Sequence, residues 1–330
     1  MTNFRAAAPV RLDFAGGWTD VPPYSGREGG VVVAAAVQLH AYAEVAPRES
    51  GYVLVSKDLS QAEEFPDLEA LAGDGPLPLL RAGLRMLQSG PCSLVTRSDA
   101  PPGSGLGSSG AIDVALVAAL AAAAGRRTTV RELADLACRL EGVEAGIPGG
   151  RQDQFAAAHG GFLRLTFRDP EATVEPLVLD PAFASELERR MLLCYTGASR
   201  FSGATIGRVM RAYEQGDATI AGALDGLRQV ADRMADALRA ADFARIGALL
   251  SENWRLQQIL DPGMSTPDMA RLERALLDAG ALGGKAAGSG AGGSMFFLGP
   301  DDPAEARDVV GREGMRLLPV RWAAMGVRPC

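Results

Sequence analysis

Residues 101–111 read Pro101-Pro102-Gly103-Ser104-Gly105-Leu106-Gly107-Ser108-Ser109-Gly110-Ala111, and the rest of the chain is read outward from them. Cys92 to Arg97, just before, reads as a strand. The run from Ala111 to Ala124, just after, is almost wholly apolar and alanine-rich, as a buried helix is. Strand, glycine loop and helix start, in that order, aim backbone N–H groups and the positive end of a helix dipole at one point, where an anion can sit. Gly103, Gly105 and Gly107 let a phosphate approach the backbone closely, and Ser108 and Ser109 can cap the helix or offer hydroxyls to a phosphate or a metal. Two familiar loops are excluded. A P-loop ends in Gly-Lys-Ser/Thr, and no lysine stands here; a dinucleotide fingerprint needs Gly or Ala where Ser108 stands. Taken alone, the stretch is equally readable as a Gly/Ser turn ahead of a helix cap.

The chain has 330 residues, enough for two domains or one large one. Its 47% hydrophobic and 22% charged residues are ordinary for a soluble protein. A net charge of −7 and the lack of a basic run argue against a nucleic-acid groove, so small anions must be held by local N–H groups and a few cations. Cys92, Cys138, Cys194 and Cys330 are too far apart for metal-ligand spacing, and His40 and His159 are the only histidines. The N-terminus has no long apolar core of a leader, and the apolar run 111–124 is too short to span a bilayer and contains Asp113. The expectation is a cytoplasmic soluble protein with no nucleic-acid or membrane partner; a homodimer is left open.

Along the chain, strands are expected at 4–14, 31–37, 40–45 with 52–55 as a hairpin, 162–167, 191–195, 294–298 and 315–322. Helices are expected at 76–89, 129–141, 203–240, 242–260, 267–280 and 302–313. The pattern loosens around 170–187, and a domain boundary is placed there, between 178 and 179. A second glycine cluster, Gly283 to Gly293, precedes the apolar strand at 294–298. The alternation predicts an α+β protein in two lobes with glycine loops at the cleft.

Three stretches now stand in order: Ala8-Pro9-Val10-Arg11 with Gly17-Trp18-Thr19-Asp20, the central loop, and the C-terminal glycine loop. Together they resemble the three motifs of the GHMP kinase superfamily, which includes galactokinase, homoserine kinase and mevalonate kinase. Within it, Arg11 to Ser25 is similar to the D-glycero-D-manno-heptose 7-phosphate kinase group and to the kinase part of L-fucokinase. The segment from Gly149 to Gly161, and Tyr195 to Arg200, are more similar to the heptose kinases, whereas Asp13 and Trp18 lean to the fucokinase side.

The resemblance implies residues 1–178 as a ribosomal-S5-domain-2-like N-terminal domain that binds ATP and sugar. It implies residues 179–330 as a ferredoxin-like C-terminal domain. It implies transfer of the γ-phosphate of ATP to a sugar hydroxyl, usually the anomeric one, with Mg²⁺. Pro102, Gly103, Ser104, Gly105, Leu106, Gly107, Ser108 and Ser109 would hold the ATP phosphates, with Ser109 and Glu141 on the metal. Asp153 matches the aspartate that accepts or orients the acceptor's proton, and Arg11 the cation beside the transferred phosphate. Asp20 matches the sugar-binding aspartate. Gly16, Gly17, Trp18, Gln152, Thr196, Arg200 and Gly290 are the further sugar-side candidates. Lys285 or Ser289 could reach a phosphate, with Gly288, Gly290 and Gly292 lining the cleft opposite the nucleotide loop. Each has a plainer reading: Glu141 a solvated helix-end charge, Asp153 a helix cap, Arg11 a strand-edge arginine, Trp18 a core residue, Arg200 an exposed turn arginine. The leading expectation is a heptose 7-phosphate 1-kinase. The alternatives are an L-fucokinase-like or other free-sugar 1-kinase, a non-catalytic regulator that binds sugar and ATP, and a mevalonate-type decarboxylase, which the Gly17-to-Asp20 turn fits poorly.

Overall fold

The computed structural model describes residues 2–197 and 203–330. The strands are β1 (Phe4–Ala15), β2 (Gly30–Pro47), β3 (Tyr52–Ser56), β4 (Gln61–Phe65), β5 (Cys92–Ser98), β6 (Phe162–Arg168), β7 (Glu171–Pro176), β8 (Met191–Tyr195), β9 (Gly283–Ala286), β10 (Ser294–Leu298), β11 (Arg316–Leu318) and β12 (Arg328–Pro329). The helices are α1 (Tyr24–Arg27), α2 (Pro78–Met86), α3 (Ser108–Ala123), α4 (Val130–Arg139), α5 (Gln152–His159), α6 (Pro181–Arg190), α7 (Gly203–Glu214), α8 (Ala218–Arg239), α9 (Phe243–Leu260), α10 (Pro267–Asp278) and α11 (Ala304–Arg312).

The first sheet is built on β2. Its Val31-to-Val37 run is β-branched and alanine residues only, buried on both faces, and so reads as a continuous apolar stretch rather than an alternating one. β1 pairs along one edge of β2. The other edge is shared: residues 30–35 pair with β6, and residues 41–47 with β5. β5 runs parallel to β3, which pairs with β4, and β6 pairs with β7. The expected hairpin of 40–45 with 52–55 is therefore not formed. Residues 40–45 continue β2, and β5 lies between β2 and β3, because the apolar pattern does not record which strand is its neighbour.

α3 packs across β1 and β2, and α2, α4 and α5 pack against α3. Its small side chains let it sit close to the sheet, and burial between the sheet and these helices is why, Asp113 apart, it is apolar around most of its circumference. The second sheet has the order β11-β8-β10-β9, all antiparallel. In its own numbering that is 4-1-3-2, the order of a ferredoxin-like unit. α8 ties the two layers together. Ile220, Leu224 and Leu227 join the core of the second sheet, and Val230, Met234 and Leu238 join the core of the first.

Among the further departures from the expected pattern, the 203–240 stretch is two helices, α7 and α8, and α6 and the last strand also differ. The loosened stretch contains α6, with Asp180 accepting the Ala182 and Phe183 N–H groups and Pro181 in the first turn; this Asp-Pro pair is a helix start, not only a turn. The last strand is shorter than 315–322. After β11 the chain crosses back, Trp322 bridges Val37, and β12 pairs with β1. The 178/179 boundary falls in the coil between β7 and α6, while the last residues of the chain sit on the first sheet.

Candidate active site

A cleft of about 550 Å³ runs between the central loop, the 16–20 turn, the start of α5 and the loop joining β9 to β10. The central loop enters α3 through Gly107, which is left-handed (φ 74°), and no side chain caps the helix. The expected capping by Ser108 or Ser109 is thus absent. Instead Ser108 and Ser109 line the cleft, and the buried hydroxyls of Ser104 and Ser108 have no partner. An uncapped helix start beside unpartnered hydroxyls is suited to an anion.

The loop is held from behind by the C-terminal glycine loop. A Cβ on Gly105 would lie 2.5 Å from the Ala287 carbonyl oxygen, one on Gly288 2.8 Å from the Gly105 oxygen, and one on Gly293 2.6 Å from the Gly103 oxygen. The two glycine loops are therefore packed together, not opposed across the cleft as expected; Gly288 and Ser289 alone of the second loop reach the wall. Gly290 is packed on Met264 instead, and Thr196 bonds its hydroxyl to the Gly293 carbonyl at 3.0 Å. Neither lines the cleft.

Arg11 and Asp153 meet at the mouth of the loop. The Arg11 guanidinium is buried and donates to Asp153 Oδ1 at 2.8 Å through Nε and to the Gly105 carbonyl at 2.7 Å through Nη1. Burial opposes its charge, but Asp153, Asp13 and Asp20 outweigh burial and raise its pKa. Asp153 stands in the first turn of α5, where the helix dipole favours a negative charge. A Cβ on Gly107 would lie 2.9 Å from the Asp153 carboxyl carbon and 3.3 Å from the Arg11 guanidinium carbon. Gly107→Ala is expected to displace both, lowering kcat about 10²-fold while costing about 1–2 kcal/mol in stability. Steady-state kinetics beside urea unfolding check this; an unaltered kcat would refute it.

On the other side of the loop, Ser109 Oγ donates to Glu141 Oε1 at 2.8 Å, and Gln154 Nε2 donates to Glu141 Oε2 at 2.6 Å. Burial raises the Glu141 pKa. Glu141 sits on a π-helical turn (Leu140–Glu144) that closes α4, a distortion common at functional sites. Hard oxygen donors with a single carboxylate suit Mg²⁺, which takes the rest of its shell from phosphate and water. Among the described residues no group of three or more His, Cys, Asp or Glu could hold a metal. Asp113, one helical turn beyond Ser109, is fully buried with neither carboxyl oxygen partnered, and burial pushes its pKa well above the usual range.

On the sugar side, Gly17, Trp18, Asp20 and Gln152 line the cleft. Trp18, left-handed at φ 83°, serves both readings: it lines the wall and belongs to the core under α7 and α8. Gly16 does not line the cleft; a Cβ there would lie 2.0 Å from the Val31 carbonyl, so glycine serves packing. Asp20 is buried behind Gly150 and accepts the Gln152 N–H at 2.9 Å, supplying the cap that α5 lacks locally. Burial lifts its pKa from 3.8 to about 6, against the Gln152 N–H and with Asp153. A folded pKa above the unfolded one means that stability from this group falls as pH rises from about 4 to about 6, by about 3 kcal/mol at most. The stability of Asp20→Asn relative to the parent is therefore expected to grow over that window; urea unfolding at several pH values would contradict this if the margin were constant. Arg200 lies outside the described residues.

Three features are not those expected. The Leu106 side chain is buried in the core; its carbonyl accepts the Arg11 N–H at 2.9 Å, so it anchors the loop and does not line the cleft. Lys285 is fully buried and reaches no phosphate position, donating to Asp13 Oδ2 and the Asp13 carbonyl, each at 2.8 Å. The cleft is also lined by Leu59, Leu77, Leu79 and Leu80 with Thr96, an apolar stretch of wall suited to a nucleotide base that no motif marks. No helix among the described residues is long and apolar enough to cross a membrane.

This cleft and fold place the chain among small-molecule kinases. Residues 78–161 match the family model of the GHMP kinase N-terminal domain, and residues 234–316 that of the GHMP kinase C-terminal domain. The chain is 33% identical over 306 residues to the D-glycero-alpha-D-manno-heptose 7-phosphate kinase of Campylobacter jejuni, covering 90% of each. It is 28% identical to the bifunctional fucokinase/GDP-fucose pyrophosphorylase of Arabidopsis thaliana, covering 89% of this chain and 29% of that protein. The crystal structure of a D-glycero-D-manno-heptose 1-phosphate kinase from Bacteroides thetaiotaomicron superposes with a TM-score of 0.79 at 26% identity, covering 99% of this chain and 98% of that one. The chain belongs to the GHMP kinase family. It is a phosphotransferase with an alcohol group as acceptor, of the sugar-kinase kind.

Proposed function

We propose that the chain phosphorylates the anomeric hydroxyl of D-glycero-D-manno-heptose 7-phosphate with Mg-ATP. The observation that carries this is the convergence on one loop of an acid, a cation and a metal-ready pair: Asp153 with Arg11 on one side, Ser109 with Glu141 on the other. The choice of heptose is supported by the Campylobacter relative.

Phosphoryl transfer needs positioning and charge neutralisation more than covalent chemistry. The loop N–H groups and the Ser104 and Ser108 hydroxyls would bind the phosphates. Ser109 and Glu141 would hold Mg²⁺, which when bound neutralises phosphate charge. Asp153 would orient the acceptor hydroxyl and hold its proton, while Arg11, kept cationic by its carboxylate neighbours, meets the charge of the transferring group. Asp20, Gln152 and Gly17 would contact sugar hydroxyls, with Trp18 against a sugar face. A cytoplasmic setting suits the free cysteines and the need for ATP.

A panel of sugars and sugar phosphates with Mg-ATP, read by ADP release and phosphorus NMR, tests the reading. Heptose 7-phosphate is expected to give a 1,7-bisphosphate. The second reading, a free-sugar 1-kinase, is favoured by Trp18 in the cleft wall and by the fucokinase relative. Heptose 7-phosphate inert beside reactive L-fucose would establish it instead.

A further inference from the structure

The segment that supplies Asp153 also supplies a residue with no role so far. We propose that Gln154 is a positioning residue for the metal site, its side-chain amide holding the Glu141 carboxylate in register with Ser109. This rests on the kinase reading above.

The geometry is specific. Gln154 is 1% exposed, and its Nε2 donates to Glu141 Oε2 at 2.6 Å while Ser109 Oγ donates to Oε1 at 2.8 Å. The two donors grip opposite oxygens of one carboxylate. An ionised carboxylate only accepts hydrogen bonds, so the amide must present its NH₂ to Glu141, which fixes its orientation. Glu141 needs that grip, because it stands on a π-helical turn rather than in a regular helix that would restrict its direction. Asp153 and Gln154 are consecutive on α5, about 100° apart around the axis. One rigid element thus points Asp153 at Arg11 and Gln154 at Glu141, fixing the spacing between the acid for the hydroxyl and the ligand for the metal. Partners of this kind, once removed, typically cost 10–100-fold in metal affinity.

Gln154→Leu removes the donor at similar volume. It is compared with the parent protein by Mg²⁺ titration of phosphoryl transfer, by Mn²⁺ electron paramagnetic resonance of the ATP complex, by binding of ATP in EDTA, and by thermal unfolding. The half-saturating Mg²⁺ is expected to rise about tenfold or more, with a matching loss of Mn²⁺ affinity. Metal-free ATP binding should be unchanged, and kcat should recover as Mg²⁺ is raised. Unchanged Mg²⁺ and Mn²⁺ affinity in the folded variant would overturn the assignment. So would an equal loss of metal-free ATP binding, the mark of a merely structural role. Should the leucine variant not fold, Gln154→Met is read by the same criteria. Failure of the kinase reading looks different: a parent protein that binds neither ATP nor Mn²⁺ removes that reading and this role together, whereas intact transfer with unshifted metal dependence removes only the role of Gln154.

Discussion

Asp153→Asn is expected to lower kcat by about 10²–10⁴-fold and to leave ATP affinity close to that of the parent, while lowering stability because the buried Arg11 guanidinium loses its paired charge. The amide keeps the volume and an acceptor oxygen for Arg11 Nε, so the loop and α5 keep their contact. What is lost is the group that takes the hydroxyl's proton and the charge paired with the buried guanidinium. Single-turnover transfer from ATP, beside nucleotide binding by calorimetry, separates the two effects. A variant that transferred phosphate at the parental rate would show that Asp153 neither accepts nor orients that proton.

The second large effect is one of stability. Lys285 on β9 and Asp13 on β1 form an ion pair with both side chains out of contact with water, and Asp13 Oδ1 also accepts the Gly288 N–H at 3.1 Å. Burial lowers the Lys285 pKa, and Asp13 works to keep it charged. Removing one partner leaves an uncompensated buried charge. Lys285→Met is accordingly expected to cost about 3–5 kcal/mol in urea unfolding. Asp13→Asn combined with Lys285→Met should recover part of that, because the remaining group is then neutral. The single variant should also bind ATP more weakly, since the pair anchors Gly288, which packs on Gly105 of the phosphate loop. A loss within about 0.5 kcal/mol, the range of ordinary surface substitutions, would show that the pair does not hold the two layers together.

The candidate site was legible where function demands a residue type in a fixed local setting. The lysine-free glycine loop with its serines is marked by its local setting, whereas Glu141, Arg11 and Asp153 are marked only by the family resemblance; the fold brings all of them to one cleft, where their roles are proposals. Side-chain direction was not legible. Leu106, Gly16, Gly290 and Lys285 sit in motif stretches yet face cores or neighbouring backbones, because a loop's sequence does not say which of its residues turns inward. Gln154 has no sequence signal for its role, and Asp13 stands out only as a fucokinase-like feature, because their partners, Glu141 and Lys285, lie 13 and 272 residues away. The only mark Gln154 carries is that of a polar residue ahead of an otherwise apolar run, Phe155 and the alanines. In the fold, β8 and β10 were read at their observed bounds because both are short apolar runs flanked by breakers. α5 and α6 were missed; the first takes its cap from Asp20, far away in sequence, and the second hides behind an Asp-Pro pair that also signals a turn.

On the proposed function, the loop from Pro102 to Ser109 would cradle a triphosphate between an acid for the sugar hydroxyl and an acid for the metal. A crystal structure with Mg²⁺ and a non-hydrolysable ATP analogue tests it most directly. Phosphate oxygens are expected on the N–H groups at the start of α3, the cation on Ser109 and Glu141, and Asp153 facing the terminal phosphate across the acceptor position. A triphosphate bound elsewhere in the cleft, with the cation away from Glu141, would contradict it.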